Sequence, residues 1–123
     1  MGVDAQVTVW RRQGRLLLET LDRTAERIWL SSGGRDLGEA LPAAELGAAV
    51  REGLAATTVL DHPLSWPTDD GPMPGIAGAR SWTAFASCAA SVSVAADEAG
   101  RVTVTPRSAA AAAPRSRPCR NAP

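Results

Sequence analysis

Ser91-Val92-Ser93-Val94-Ala95, then Ala96-Asp97-Glu98-Ala99-Gly100, then Arg101-Val102-Thr103-Val104-Thr105-Pro106 is the stretch that decides the fold. Both outer runs alternate β-branched with small or polar residues, and the segment between them holds two acids and a glycine. That pattern predicts a β-hairpin with an acidic turn. In the second run Val102 and Val104 fall on one face, Arg101, Thr103 and Thr105 on the other. Upstream, Gly78-Ala79-Arg80-Ser81-Trp82-Thr83-Ala84-Phe85 brings two aromatics close together. The expected scaffold of this half is Trp82, Phe85, Val92, Val94, Val102 and Val104. The residues between Trp82 and Ala90 fit a strand or a short helix equally well.

Working outward, Gln6-Val7-Thr8-Val9-Trp10 alternates and predicts a first strand, followed by a turn at Arg11-Arg12-Gln13-Gly14. A second strand is expected over Arg15 to Leu21 and a third over Ala25 to Ser31. Ser31-Ser32-Gly33-Gly34 reads as a turn, and Arg35 to Leu41 as a short edge strand. A helix starts at Pro42, where the missing N–H costs nothing, with Leu46, Val50 and Leu54 at i, i+4, i+8 on one face. Gly47 and Gly53 each cost about 1 kcal/mol relative to alanine, so this helix must lean on a sheet. Residues 61–75 form a long loop rich in proline. The expected fold is α+β: a mostly antiparallel sheet of about five or six strands with one main helix on one face. The second face must be polar, covered by the long loop, or bound by a partner.

The chain has 123 residues, enough for one core. The domain is placed at 1–106; residues 107–123, an Ala/Pro/Arg-rich tail, are expected to be disordered. All thirteen basic residues are arginine. The whole chain is neutral, but residues 1–106 hold nine arginines against thirteen acids, a net charge of −4. An acidic body speaks against nucleic acid as ligand, because phosphate recognition needs a basic face, and suits a basic protein partner. No apolar run approaches membrane-spanning length, and the polar N-terminus is no signal peptide. Cys88 and Cys119 are the two cysteines; with one in the tail, a structural disulfide is not expected, and both are read as reduced thiols in a cytoplasm.

No catalytic constellation is visible. His62 is the single histidine and lacks a paired nucleophile. Cys88 as a nucleophile would need that same imidazole as its base and is read as a small buried apolar residue. Asp69-Asp70-Gly71 lacks the further oxygen ligands of a calcium loop. No metal, cofactor or enzymatic activity is expected. Trp29, between Ile28 and Leu30, is read as core. Trp66, set among Asp61, Asp69 and Asp70 in a proline-rich loop, has the makings of either an interface anchor or a cover for the open sheet face.

Glu45-Leu46-Gly47-Ala48-Ala49-Val50-Arg51-Glu52-Gly53-Leu54, then Gly78-Ala79-Arg80-Ser81-Trp82, then Val92-Ser93-Val94 and Val102-Thr103-Val104-Thr105-Pro106, in that order, resemble immunity proteins of contact-dependent growth inhibition systems over residues 6–106. The chain departs from such proteins after the helix, where Ala55-Ala56-Thr57-Thr58 stands. The resemblance implies a cytoplasmic, non-catalytic protein. It would bind and neutralise the C-terminal toxin domain, commonly a nuclease, of a cognate effector. The expected contact residues are Asp61, Trp66, Asp69 and Asp70, with Asp97 and Glu98 as a second patch. The alternative is a structural or small-ligand-binding domain without a toxin partner.

Overall fold

The computed structural model describes residues 4–24, 28–60 and 71–107. Strands β1 (Ala5–Arg12), β2 (Arg15–Thr24) and β3 (Trp29–Glu39) come first, followed by helix α1 (Ala43–Ala55) and the two-residue strand β4 (Val59–Leu60). The short helices α2 (Met73–Ala77) and α3 (Trp82–Ala86) precede β5 (Ala89–Ala96) and β6 (Val102–Arg107). The main sheet runs β3-β2-β1-β5-β6, antiparallel throughout, while β4 adds in parallel to the end of β2. The expected α+β architecture is what the chain adopts.

Local chemistry explains the joints. Gln13 and Gly14 both take positive φ, 52° and 78°, between the paired residues Arg12 and Arg15. A two-residue turn of that kind matches the twist of the strands it joins. Ser81 caps α3 by accepting a hydrogen bond from the Ala84 N–H at 3.1 Å, so the ambiguous segment is a short helix followed by a strand. Proline at 42 is the N-cap of α1, one residue before the helix proper. β6 runs through Arg107.

The expected turn at Ser31-Ser32-Gly33-Gly34 is instead the middle of β3. Thr20 pairs with Gly33 and Leu21 with Ser31, so Ser32 is the extra residue of a bulge. Gly33 takes the bulge's φ of 154°, and Gly34 is there for close approach rather than reversal. A Cβ on Gly34 would lie 2.5 Å from the Leu18 carbonyl oxygen and 2.7 Å from the Met73 sulfur. Thus β3 is one long edge strand where a strand, a turn and a second strand are expected.

Both faces of the sheet are covered. On one, α1 lies over Val7, Leu18 and Val94. Its most buried residues are Ala49 and Gly53, while Leu46, Val50 and Leu54 are half-buried. The helix rests on its small residues and wedges its large ones along the sides. Gly53 sets the distance: a Cβ there would meet Val7 Cγ1 at 2.9 Å, Leu18 Cδ2 at 3.3 Å and Thr20 Cγ2 at 3.5 Å. Overpacking of this kind costs about 1–3 kcal/mol, so Gly53→Val is expected to lower stability by about 3 kcal/mol. Gly47 has only Arg51 Nη1 at 3.6 Å, and Gly47→Ala should raise stability by about 1 kcal/mol through helix propensity. Urea unfolding of the two variants side by side checks this; equal effects would contradict the packing account.

On the opposite face α2 and α3 hold Met73 and Phe85 against Trp10, Leu17 and Ala89. The end of the expected 61–75 loop is therefore helical, and it belongs to the cover of that second face. Trp10 meets Phe85 nearly edge-on at 4.9 Å between ring centroids and Trp82 at 5.5 Å. Its indole N–H donates to Glu19 Oε1 at 3.0 Å in the interior, which supplies the buried carboxylate with a donor. Trp82 reaches this cluster but stays partly in solvent.

At the β2–β3 edge, Arg15 Nε donates to Asp36 Oδ2 at 2.9 Å. That bond, helped by donation from the Gly38 N–H, holds the Asp36 carboxyl below its ordinary value of 3.8. A depressed folded-state pKa stabilises above the unfolded value, and that share is lost as pH falls below about 3.8 through the folded one. Both partners are substantially exposed, so the contribution is small and screened by salt. Asp36→Asn should flatten the acid limb of a stability–pH curve slightly and leave neutral pH nearly unchanged.

Candidate functional site

The β5–β6 hairpin forms one lateral edge of the molecule. At its tip Asp97 Oδ1 accepts hydrogen bonds from the N–H groups of Ala99 at 2.9 Å and Arg101 at 2.8 Å. The Asp97 N–H donates to the Arg101 carbonyl at 3.0 Å, and Gly100 closes the reversal with φ 84°. The aspartate thus folds the turn with one oxygen, as turn aspartates do. Glu98 beside it is exposed.

Val102 and Val104 stand away from the core, 54% and 60% exposed. They were expected to build the scaffold and do not. They share a sheet face with Val94, opposite Ala96 and Val94 across the ladder, but α1 packs over β1, β2 and β5. Beyond β6 no further strand pairs among the described residues. An edge strand thus shows apolar side chains and open backbone groups side by side. Single exposed apolar residues are ordinary, but adjacent ones on an unpaired edge mark a surface for association.

Among the described residues, two shallow clefts flank this frame. One, about 210 Å³, lies between α1 and the β2–β3 edge, floored by Leu18 and Thr20 and rimmed by Arg35 and Glu52, whose charged ends are 3.5 Å apart. The other, about 230 Å³, lies at the end of the sheet where Trp29 faces the hairpin. Trp29 is half-buried along that cleft rather than sealed in the core. Its neighbours in sequence, Ile28 and Leu30, gave no sign of this; only the tertiary structure puts Trp29 and hairpin residues along one cleft.

Of the expected contact residues, Asp97 and Glu98 come together at the exposed tip. Asp61, Trp66, Asp69 and Asp70 lie outside the described residues, as do His62 and the tail 108–123. Cys88 is half-buried and disulfide-bonded, which corrects its reading as a reduced, buried apolar thiol. Among the described residues no group of three or more His, Cys, Asp or Glu could hold a metal ion. No helix among them is long and apolar enough to cross a membrane.

Fold and surface together define a small α+β domain that, among the described residues, exposes an edge hairpin. No family model matches this chain, and no curated protein matches it. Among solved structures it is similar to the protein of unknown function NMB0488 from Neisseria meningitidis, at a TM-score of 0.64 and 14% sequence identity. The match covers 86% of this chain and 74% of that one. At such identity the likeness shows a shared fold.

Proposed function

We propose that this chain is a non-catalytic immunity protein that binds and neutralises the toxin domain, a nuclease by preference, of a cognate contact-dependent growth inhibition effector. The observation that carries the reading is the β6 edge, with Val102 and Val104 exposed and the acids Asp97 and Glu98 at the tip. An apolar strip beside acidic groups suits a partner whose own surface is basic, as phosphate-binding domains are. The net acidity of residues 1–106 would speed encounter with such a domain. The alternative is a small-ligand domain; the two clefts described, about 210 and 230 Å³, fall below the 300–1,000 Å³ or so typical of small-molecule sites.

Co-expression and pull-down with the toxin domain encoded beside this gene tests the reading. A stable pair and protection of the host support it; neither binding nor protection removes it. Val102→Asp and Val104→Asp should abolish the pair while shifting stability by no more than about 0.5 kcal/mol, as surface substitutions do. Cytoplasmic residence, which the reading includes, has the Cys88 disulfide against it, because cytosolic thiols are kept reduced. Alkylation of the protein in intact cells, read by mass, decides the compartment: blocked thiols support the cytoplasm, protected ones overturn it.

A further inference from the structure

Cys88 stands at the corner between α3 and β5, half-buried and disulfide-bonded. The chain holds one other cysteine, Cys119, which lies outside the described residues. A bond within the chain therefore has a single choice of partner. The ladder makes that choice reachable. Arg107, the last residue of β6, pairs with Ser91, three residues after Cys88. The gap from Arg107 to Cys88 is thus about 15 Å, one strand spacing across and three residues along. About a dozen residues lead on from Arg107 to Cys119, a reach of about 40 Å at most. Closure therefore needs no movement of the sheet. Charge acts the same way: residues 107–123 carry four arginines and no acid, while residues 1–106 are net −4, so the two attract. A tether of that length sets the two thiols at an effective concentration of about a millimolar, well above that of a second chain in dilute solution.

We propose that Cys88 is joined to Cys119 of the same chain, and that this bond is a redox-sensitive strap fastening the C-terminal segment to the α3–β5 corner. Its formation removes one proton and one electron from each thiol. A small disulfide such as glutathione disulfide takes them up and leaves as two thiols. Cys88 is half-buried rather than sealed, so a small thiol reaches the bond in the folded protein, and the strap opens without unfolding. Its position gives it leverage. Phe85, three residues before Cys88, is the residue that seats α3 on the core. The bond closes a ring of about thirty residues around the β5–β6 hairpin and ties the cover of the second face to the end of the chain. The strap works with or without a toxin partner.

To test it, the full chain is equilibrated with glutathione disulfide, alkylated, digested with trypsin without reductant and read by mass. A linked pair of peptides, residues 81–101 with residues 116–120, is expected. Dithiothreitol should lower the melting temperature by about 10 °C. Cys119→Ser should melt where the reduced parent does and be insensitive to dithiothreitol, and Cys88→Ser should match it. Two alkylated thiols, or glutathione held at Cys88, overturn the proposal. So does a covalent dimer of two chains on a non-reducing gel, or a Cys119→Ser protein that still loses stability on reduction. Mixtures of reduced and oxidised glutathione applied to the native protein should carry it reversibly between the two melting temperatures. A linked peptide pair that resists reduction until the protein unfolds makes the bond a permanent staple and overturns the switch.

Discussion

Gly34→Ala is expected to destabilise the protein by about 3 kcal/mol or more, the upper range for forcing atoms into a packed site. The added methyl would stand 2.5 Å from the Leu18 carbonyl oxygen, 2.7 Å from Met73 Sδ and 3.4 Å from Ile76 Cδ1. The carbonyl belongs to the neighbouring strand and cannot turn aside without breaking the ladder. The sulfur belongs to Met73, which is fully buried between α2 and the sheet. Small domains are stable by only about 5–15 kcal/mol, so one methyl removes a large fraction. Thermal unfolding measures it. A melting temperature within a few degrees of the parent would mean that β3 is not held against α2 as described.

Phe85→Ala should cost about 3–5 kcal/mol, the range for truncating a buried aromatic. Phe85 is completely buried and touches Trp10 and Trp82 by ring contact, at 4.9 and 5.4 Å between centroids. It is also the residue by which the five-residue helix α3 is fastened to the sheet. A helix that short does not persist by its own propensity. Its loss should therefore expose Trp10 as well. Near-ultraviolet circular dichroism from the tryptophans should collapse in parallel with stability, while the α1 face keeps its strand signal. Retained aromatic dichroism would show that Trp10 and Trp82 are fixed by something other than Phe85.

Much of the fold was legible because its signals are local. The alternation at Gln6–Trp10, the Gln13-Gly14 reversal and the hairpin around Asp97 are each set by neighbours in the chain. The bulged β3 was not legible. Ser31-Ser32-Gly33-Gly34 carries every mark of a turn, and only the pairing with β2 and the proximity of Leu18 and Met73 to Gly34 show a bulged strand instead. The same holds for α1. Periodicity finds Leu46, Val50 and Leu54, yet the deepest contacts are made by Ala49 and Gly53, whose smallness has no periodic signature. Trp29 and Val104, both expected inside, are half-buried and exposed for a related reason. Burial depends on which strands the helices reach, and that is a property of the whole sheet.

The sequence by itself determined an α+β domain, its hairpins, its main helix and an acidic turn at Asp97 and Glu98, since period and turn chemistry are encoded over a few residues. The tertiary structure alone decided that two short helices close the second face and that Val102 and Val104 stand outside the core. It also decided that Trp29 of β3 lines one cleft with Asp97 and Arg101 of the hairpin. Those outcomes follow from strand order and helix placement, which bring together residues more than sixty positions apart, and no local pattern records that.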